Sequence, residues 1–185
     1  MARLMLLGIG TARSPRFAPA GLLVEYGHTR VGLDGGPGSE PPENVDAWLV
    51  ADERGPLRDD LHRIAHESGM LRPAVAPFRQ GTLHVDPLPV AHPRPGVHGY
   101  KITRGHRAAV WAPDFAEPPG WVEGADLVFA GAAGCDVAET AEAARRLGVR
   151  RLVFVRPGDA ACAAMDAGKN PPFGEWGEEG GQYRM

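Results

Sequence analysis

Lysine is almost absent from this chain, and cysteine and long apolar runs are scarce. Of the 20 basic residues only Lys101 and Lys169 are lysine, so arginine carries the positive charge. Arginine presents a rigid fork of donors that fits carboxylates and phosphates, which makes it the better anion clamp. The two cysteines, Cys135 and Cys162, lie far apart and belong to no ligand pattern. A reduced, cytoplasmic protein is the expectation. No apolar run approaches the ~18 residues that a membrane span requires. The opening Met1-Ala2-Arg3-Leu4-Met5-Leu6-Leu7 briefly mimics a signal peptide but runs straight into Gly8 and Gly10. It reads as a first strand. Charge of one sign is also lacking: 20 basic residues stand against 23 acidic ones, for a net charge of −3. That balance gives no electrostatic case for nucleic-acid binding by the whole surface.

What is there suits a packed core. A chain of 185 residues, 43% hydrophobic and 23% charged, predicts one globular domain over residues 1–185. Strands are expected at 3–7, 21–25, 30–34 and 47–51, then a helix over 58–68 stopped by Gly69. Strands return at 83–90, 99–103 and 108–112, the last two joined as a hairpin. A proline-rich loop after Asp114 leads to a buried strand at 125–130. A helix over 137–147 follows, closed by Gly148, and then a strand at 151–155. From Pro157 the chain is rich in Gly and Pro and is expected to be largely irregular, with Trp176 and Tyr183 docking it on the core. Runs of strands followed by helix–strand alternation fit an α/β sandwich rather than a simple doubly wound sheet.

Several motifs carry less than they suggest. Gly8-Ile9-Gly10-Thr11-Ala12 follows a strand like a dinucleotide fingerprint. However, Arg13 stands where the third glycine belongs, and Pro15 and Pro19 oppose a following helix. A tight turn is the expectation. His62 and His66 have the i, i+4 spacing of a metal pair, but Arg63 replaces the zincin glutamate. Taking ~100° per residue, Leu57, Leu61, Ile64 and Ala65 share one face, and the two histidines fall on the other. They read as a solvated helix face. His84, His98 and His106 stand alone.

In order along the chain, three further segments resemble metallo-β-lactamase-fold hydrolases of the ribonuclease Z type. The first is Leu7-Gly8-Ile9-Gly10-Thr11, then Gly21-Leu22-Leu23-Val24-Glu25-Tyr26-Gly27, then Val31-Gly32-Leu33-Asp34-Gly35-Gly36-Pro37-Gly38. The second is Pro89-Val90-Ala91-His92 followed by Gly99-Tyr100-Lys101-Ile102, similar to the motif whose His ligates metal. The third is Val110-Trp111-Ala112-Pro113-Asp114, similar to the motif whose Asp bridges two metals. The resemblance implies a single-domain αββα sandwich.

The departures fall on the chemistry. Where the family places Thr-His-x-His-x-Asp-His, this chain has Ala51-Asp52-Glu53-Arg54-Gly55-Pro56-Leu57. Asp52 and Arg54 stand for the first two histidines, Pro56 for the aspartate and Leu57 for the last histidine. Arg156 takes the place of the family's final His. Only His92 and Asp114 keep the family residue, and Asp52 could still coordinate. The resemblance therefore implies a degenerate member with a remnant pocket of Asp34, Asp52, Arg54, His92, Asp114 and Arg156. No cofactor is expected there. Arg54 or Arg156 is expected to neutralise Asp114, since an unpaired buried carboxylate is costly. Surplus guanidinium would then attract a small anionic or phosphorylated ligand. One alternative is a hydrolase using a single zinc or other divalent metal on Asp52, His92 and Asp114. Another is a structural or interaction subunit with a closed pocket. An oligomer is compatible with all three.

Overall fold

The computed structural model describes residues 1–115 and 117–185. Ala116, within the proline-rich loop expected after Asp114, lies outside the described residues. Two sheets face each other. The first runs β12(Gln182–Arg184), β1(Arg3–Gly8), β2(Gly21–Tyr26), β3(Thr29–Asp34), β4(Ala47–Leu49). The second runs β11(Glu175–Trp176), β10(Leu152–Val155), β9(Leu127–Gly131), β8(Arg107–Ala112), β7(His98–Arg104), β6(Leu83–Pro89), β5(Phe78–Gln80). The second sheet is antiparallel from β5 to β8 and parallel from β8 to β11.

Alternation along the strands builds the layers. In β9 all five residues are buried, with Leu127 and Phe129 between the sheets and Val128 and Ala130 on the outer face. Both faces of this strand are covered, as parallel strands require, so it reads as a continuous apolar run. The inner core joins Leu4, Leu22 and Leu33 of the first sheet to Tyr100, Trp111 and Phe129 of the second. Outside the first sheet, helix α1(Arg58–Glu67) packs Leu61 and Ala65 on Trp48 and Val50. Outside the second, α2(Val137–Arg146) and α3(Asp159–Asp166) cover Val128, Ala130 and Phe154. The result is the α/β αββα sandwich. The side chain of Asp136 caps α2 by accepting the amides of Ala138 and Glu139, and Gly148, at a φ of 68°, lets the chain leave its far end.

The tail holds more regular structure than expected after Pro157. It holds α3, β11 and β12, with β12 pairing antiparallel to β1 and β11 parallel to β10. Glycine and proline punctuate these short elements, and their frequency masks them in the sequence. Tyr183 is buried against Phe129, ring centroids 5.1 Å apart and edge-on, and Trp176 packs on Phe154. The glycines at and just past the end of β1 also find a reason. A Cβ on Gly8 or Gly10 would run into the backbone of Phe17, Ala18 and Pro19, which crosses there, and Gly10 bridges Pro19. Close chain crossing, with no helix following, accounts for them. No helix among the described residues is long and apolar enough to cross a membrane.

Candidate functional site

Strand ends from both sheets deliver acidic and basic side chains to one cavity of about 130 Å³. Asp34 is the last residue of β3, Asp52 follows the short β4, Asp114 lies in the turn after β8, and Arg156 directly follows β10. The close approach that places Asp114 depends on Gly131, whose missing Cβ leaves room for the Pro113 carbonyl. Asp34 and Arg156, at φ of 51° and 53°, are the two non-glycine residues with positive φ among the described residues. Both line the cavity. Such backbone is sparsely populated and persists where surrounding contacts over-determine it. For Arg156 one such contact is its amide, which donates to the Ile9 carbonyl at 2.5 Å.

Each carboxylate has a different partner. Asp34 is buried, and its carboxylate accepts the Ala51 amide and the Trp111 indole N–H, both at 2.7 Å, while Trp48 donates to its carbonyl. Burial pushes its pKa up, against the pull of the Arg156 charge and of those two donors. Asp114 accepts a charged hydrogen bond from the Arg156 guanidinium. Asp52 lies 2.9 Å from Arg94, which belongs to the loop between β6 and β7. That contact is an ion pair out of hydrogen-bond alignment, so Asp52 Oδ2 is buried without a hydrogen bond. Its other oxygen accepts the Arg54 amide at 2.8 Å.

Of the six residues singled out from sequence, Asp34, Asp52, Asp114 and Arg156 line the cavity, and Arg54 and His92 do not. The Asp52–Arg54 hydrogen bond folds residues 52–55 into a tight turn that leaves Arg54 exposed, beside a neighbouring depression shared with His98. His92 is turned to its own loop, its Nδ1 accepting the Arg94 amide at 3.0 Å. Two charged lining residues were missed, Arg58 and Arg94. Arg94 sits between Pro93 and Pro95, where no periodicity or motif spacing reports what a side chain reaches. His62 accepts from Arg72 at 3.3 Å and His66 is exposed, in keeping with a helix surface.

The donor set does not fit a metal centre. Asp114 and Asp52 are each held by a guanidinium, and His92 points elsewhere. Among the described residues no three His, Cys, Asp or Glu side chains are grouped to hold an ion. The guanidinium beside each carboxylate would also repel an approaching cation.

No protein-family model matches the sequence, and no curated protein matches it significantly. Solved structures do match over the whole length. The metallo-β-lactamase fold protein YhfI from Bacillus subtilis is 15% identical with a TM-score of 0.74, covering 100% of both chains. A diphosphatase from the PhnP family is 15% identical with a TM-score of 0.69, over 98% of this chain and 96% of its own. The short form of human tRNase Z is 12% identical with a TM-score of 0.63, over 99% of each chain.

Proposed function

Taking the metallo-β-lactamase fold as the premise, we propose that this chain is a catalytically degenerate member that binds a small anionic or phosphorylated group in its remnant cavity. The observation that carries the reading is the guanidinium inventory: Arg58, Arg94 and Arg156 line one cavity. Asp114 occupies Arg156 and Asp52 faces Arg94, while Asp34 is already satisfied by two neutral N–H donors. The partner of Arg58 is Asp59, whose side chain is 92% exposed and therefore screened by water. Arg156 Nε is buried without a partner. Asp52 Oδ2 is likewise without a hydrogen bond, and three guanidiniums face three carboxylates, so the spare donor is Arg58, whose counter-ion Asp59 lies outside the cavity lining. The first turn of α1, which has no side-chain cap, forms part of the same wall. A volume of about 130 Å³ lies below the ~300–1,000 Å³ of clefts that take drug-sized ligands. That suits a phosphate-sized group better than a whole nucleotide. Two fold neighbours, a diphosphatase and a tRNase Z, favour phosphate chemistry as the ancestral setting.

The test is calorimetric titration of chelator-treated protein with inorganic phosphate. Saturable binding at one site per chain, weakened several-fold in Arg58→Ala, supports the reading. Absence of saturable binding overturns it and favours the alternative of an interaction subunit, whose pocket is closed by its own ion pairs.

A further inference from the structure

The cavity's two guanidinium–carboxylate pairs are held very differently. Arg156 leaves an interior strand directly, its amide tied to Ile9, and its side chain and that of Asp114 are 23% and 21% exposed. Arg94 is carried by a loop whose residues 93–96 are all exposed. That loop is tied at its base, where the Val90 amide meets the Val97 carbonyl at 3.4 Å and the His98 amide meets the Ala51 carbonyl at 2.8 Å. The Arg94 side chain is 49% exposed, while that of Asp52 is 10% exposed. Its contacts are slack: Nη2 faces Asp52 Oδ2 out of alignment, and Nη1 reaches the Arg54 carbonyl only at 3.4 Å. One guanidinium is built in, and the other rests on a buried carboxylate from an exposed loop.

We propose that Arg94 is the residue that captures the anion, and that Asp52 is its resting counter-ion, displaced from it when a phosphate-type group enters. This rests on the anion-binding reading of the cavity. The physical basis is competition for one guanidinium. A phosphate offers several acceptor oxygens in the geometry a guanidinium fork accepts, whereas Asp52 provides a single misaligned contact. The half-exposed Arg94 exchanges partners with little loss, because water already screens it. Asp52 keeps the Arg54 amide after the exchange. It therefore acts as an internal rival that lowers the affinity of the cavity and selects against weakly charged anions.

Binding of inorganic phosphate is measured by calorimetry on wild type, Asp52→Asn, Arg94→Ala and the double variant, with near-UV circular dichroism to check the fold. Arg94→Lys is included as a folding-neutral replacement that keeps charge and loses the fork. Asp52→Asn is expected to tighten binding several-fold by freeing Arg94. Arg94→Ala is expected to weaken it about tenfold, Arg94→Lys less, and the double variant should bind no better than Arg94→Ala. If Asp52→Asn tightens binding equally with and without Arg94, the gain is general electrostatics and the proposal is overturned. If wild type and Arg94→Ala bind alike, the proposal falls while the anion reading stands. If none of the proteins binds phosphate, both fall.

Discussion

Arg156 donates a charged hydrogen bond to Asp114 across 42 residues of sequence, joining the end of β10 to the turn after β8. The pair is mostly shielded from water, joins two parallel-strand ends and lines the cavity. Both residues stand at positions where the sequence resemblance implies metal ligands, and here the cation beside Asp114 is a guanidinium.

Removing one partner leaves the other carboxylate or guanidinium desolvated and alone. Arg156→Ala is expected to cost roughly 3 kcal/mol, whereas Arg145→Ala, on the exposed face of α2, stays near zero. Adding Asp114→Asn should recover part of the loss in a double-mutant cycle read by urea unfolding. Additive single effects would show that the two side chains do not interact energetically. Arg156→Gly should be more stable than Arg156→Ala by about 1 kcal/mol, because only glycine adopts the positive φ without penalty.

Asp34 supplies a pH signature. Its folded pKa is raised by burial, so the unfolded chain ionises it more readily. Its contribution to stability is fully present below the unfolded value near 3.9 and is lost as pH rises through the raised folded value. The stability of wild type minus that of Asp34→Asn is therefore expected to fall with increasing pH across that window, then level off. A difference that rises with pH in urea titrations would contradict the burial argument.

Zinc should not stabilise this protein. Binding of a metal to the folded state alone at 100 times its Kd would add about 2.7 kcal/mol, which thermal unfolding detects easily. Samples treated with chelator and samples given excess zinc are expected to melt together, with no stoichiometric metal by elemental analysis. A clear zinc-dependent rise in Tm would restore the mononuclear hydrolase alternative on Asp52, His92 and Asp114.

The tail is an integral part of the sandwich. Tyr183 is 6% exposed and meets Phe129 edge-on in the inner core. Tyr183→Ala is expected to cost roughly 3 kcal/mol, the usual range for deleting a buried aromatic. Lys169→Ala, exposed after α3, should change little. Equal midpoints in urea would mean that residues after 157 contribute nothing to the core.

Element placement was largely legible because it rests on local periodicity. The alternation of β1, the continuous apolar runs of β9 and β10, and the apolar stripe of α1 each mark their element without reference to the rest of the chain. Short elements broken by glycine, such as β5, β11 and β12, were missed because two or three residues carry no period.

For the cavity, the sequence by itself determined which residue types stand at the strand ends: carboxylates at 34, 52 and 114, and arginine at 156. It also determined that Pro56 and Leu57 cannot coordinate a metal. Only the tertiary structure decided the pairing. Asp114 had two candidate guanidiniums, and the exit of β10 beside β9 and β8 brings Arg156 to it, while the tight turn at Asp52 keeps Arg54 exposed. Arg94 entered the cavity unannounced, because a loop residue declares its partner only when another strand end arrives beside it. Ion pairing is set by distance in space, and strand order across the sheet, which local periodicity does not encode, sets that distance.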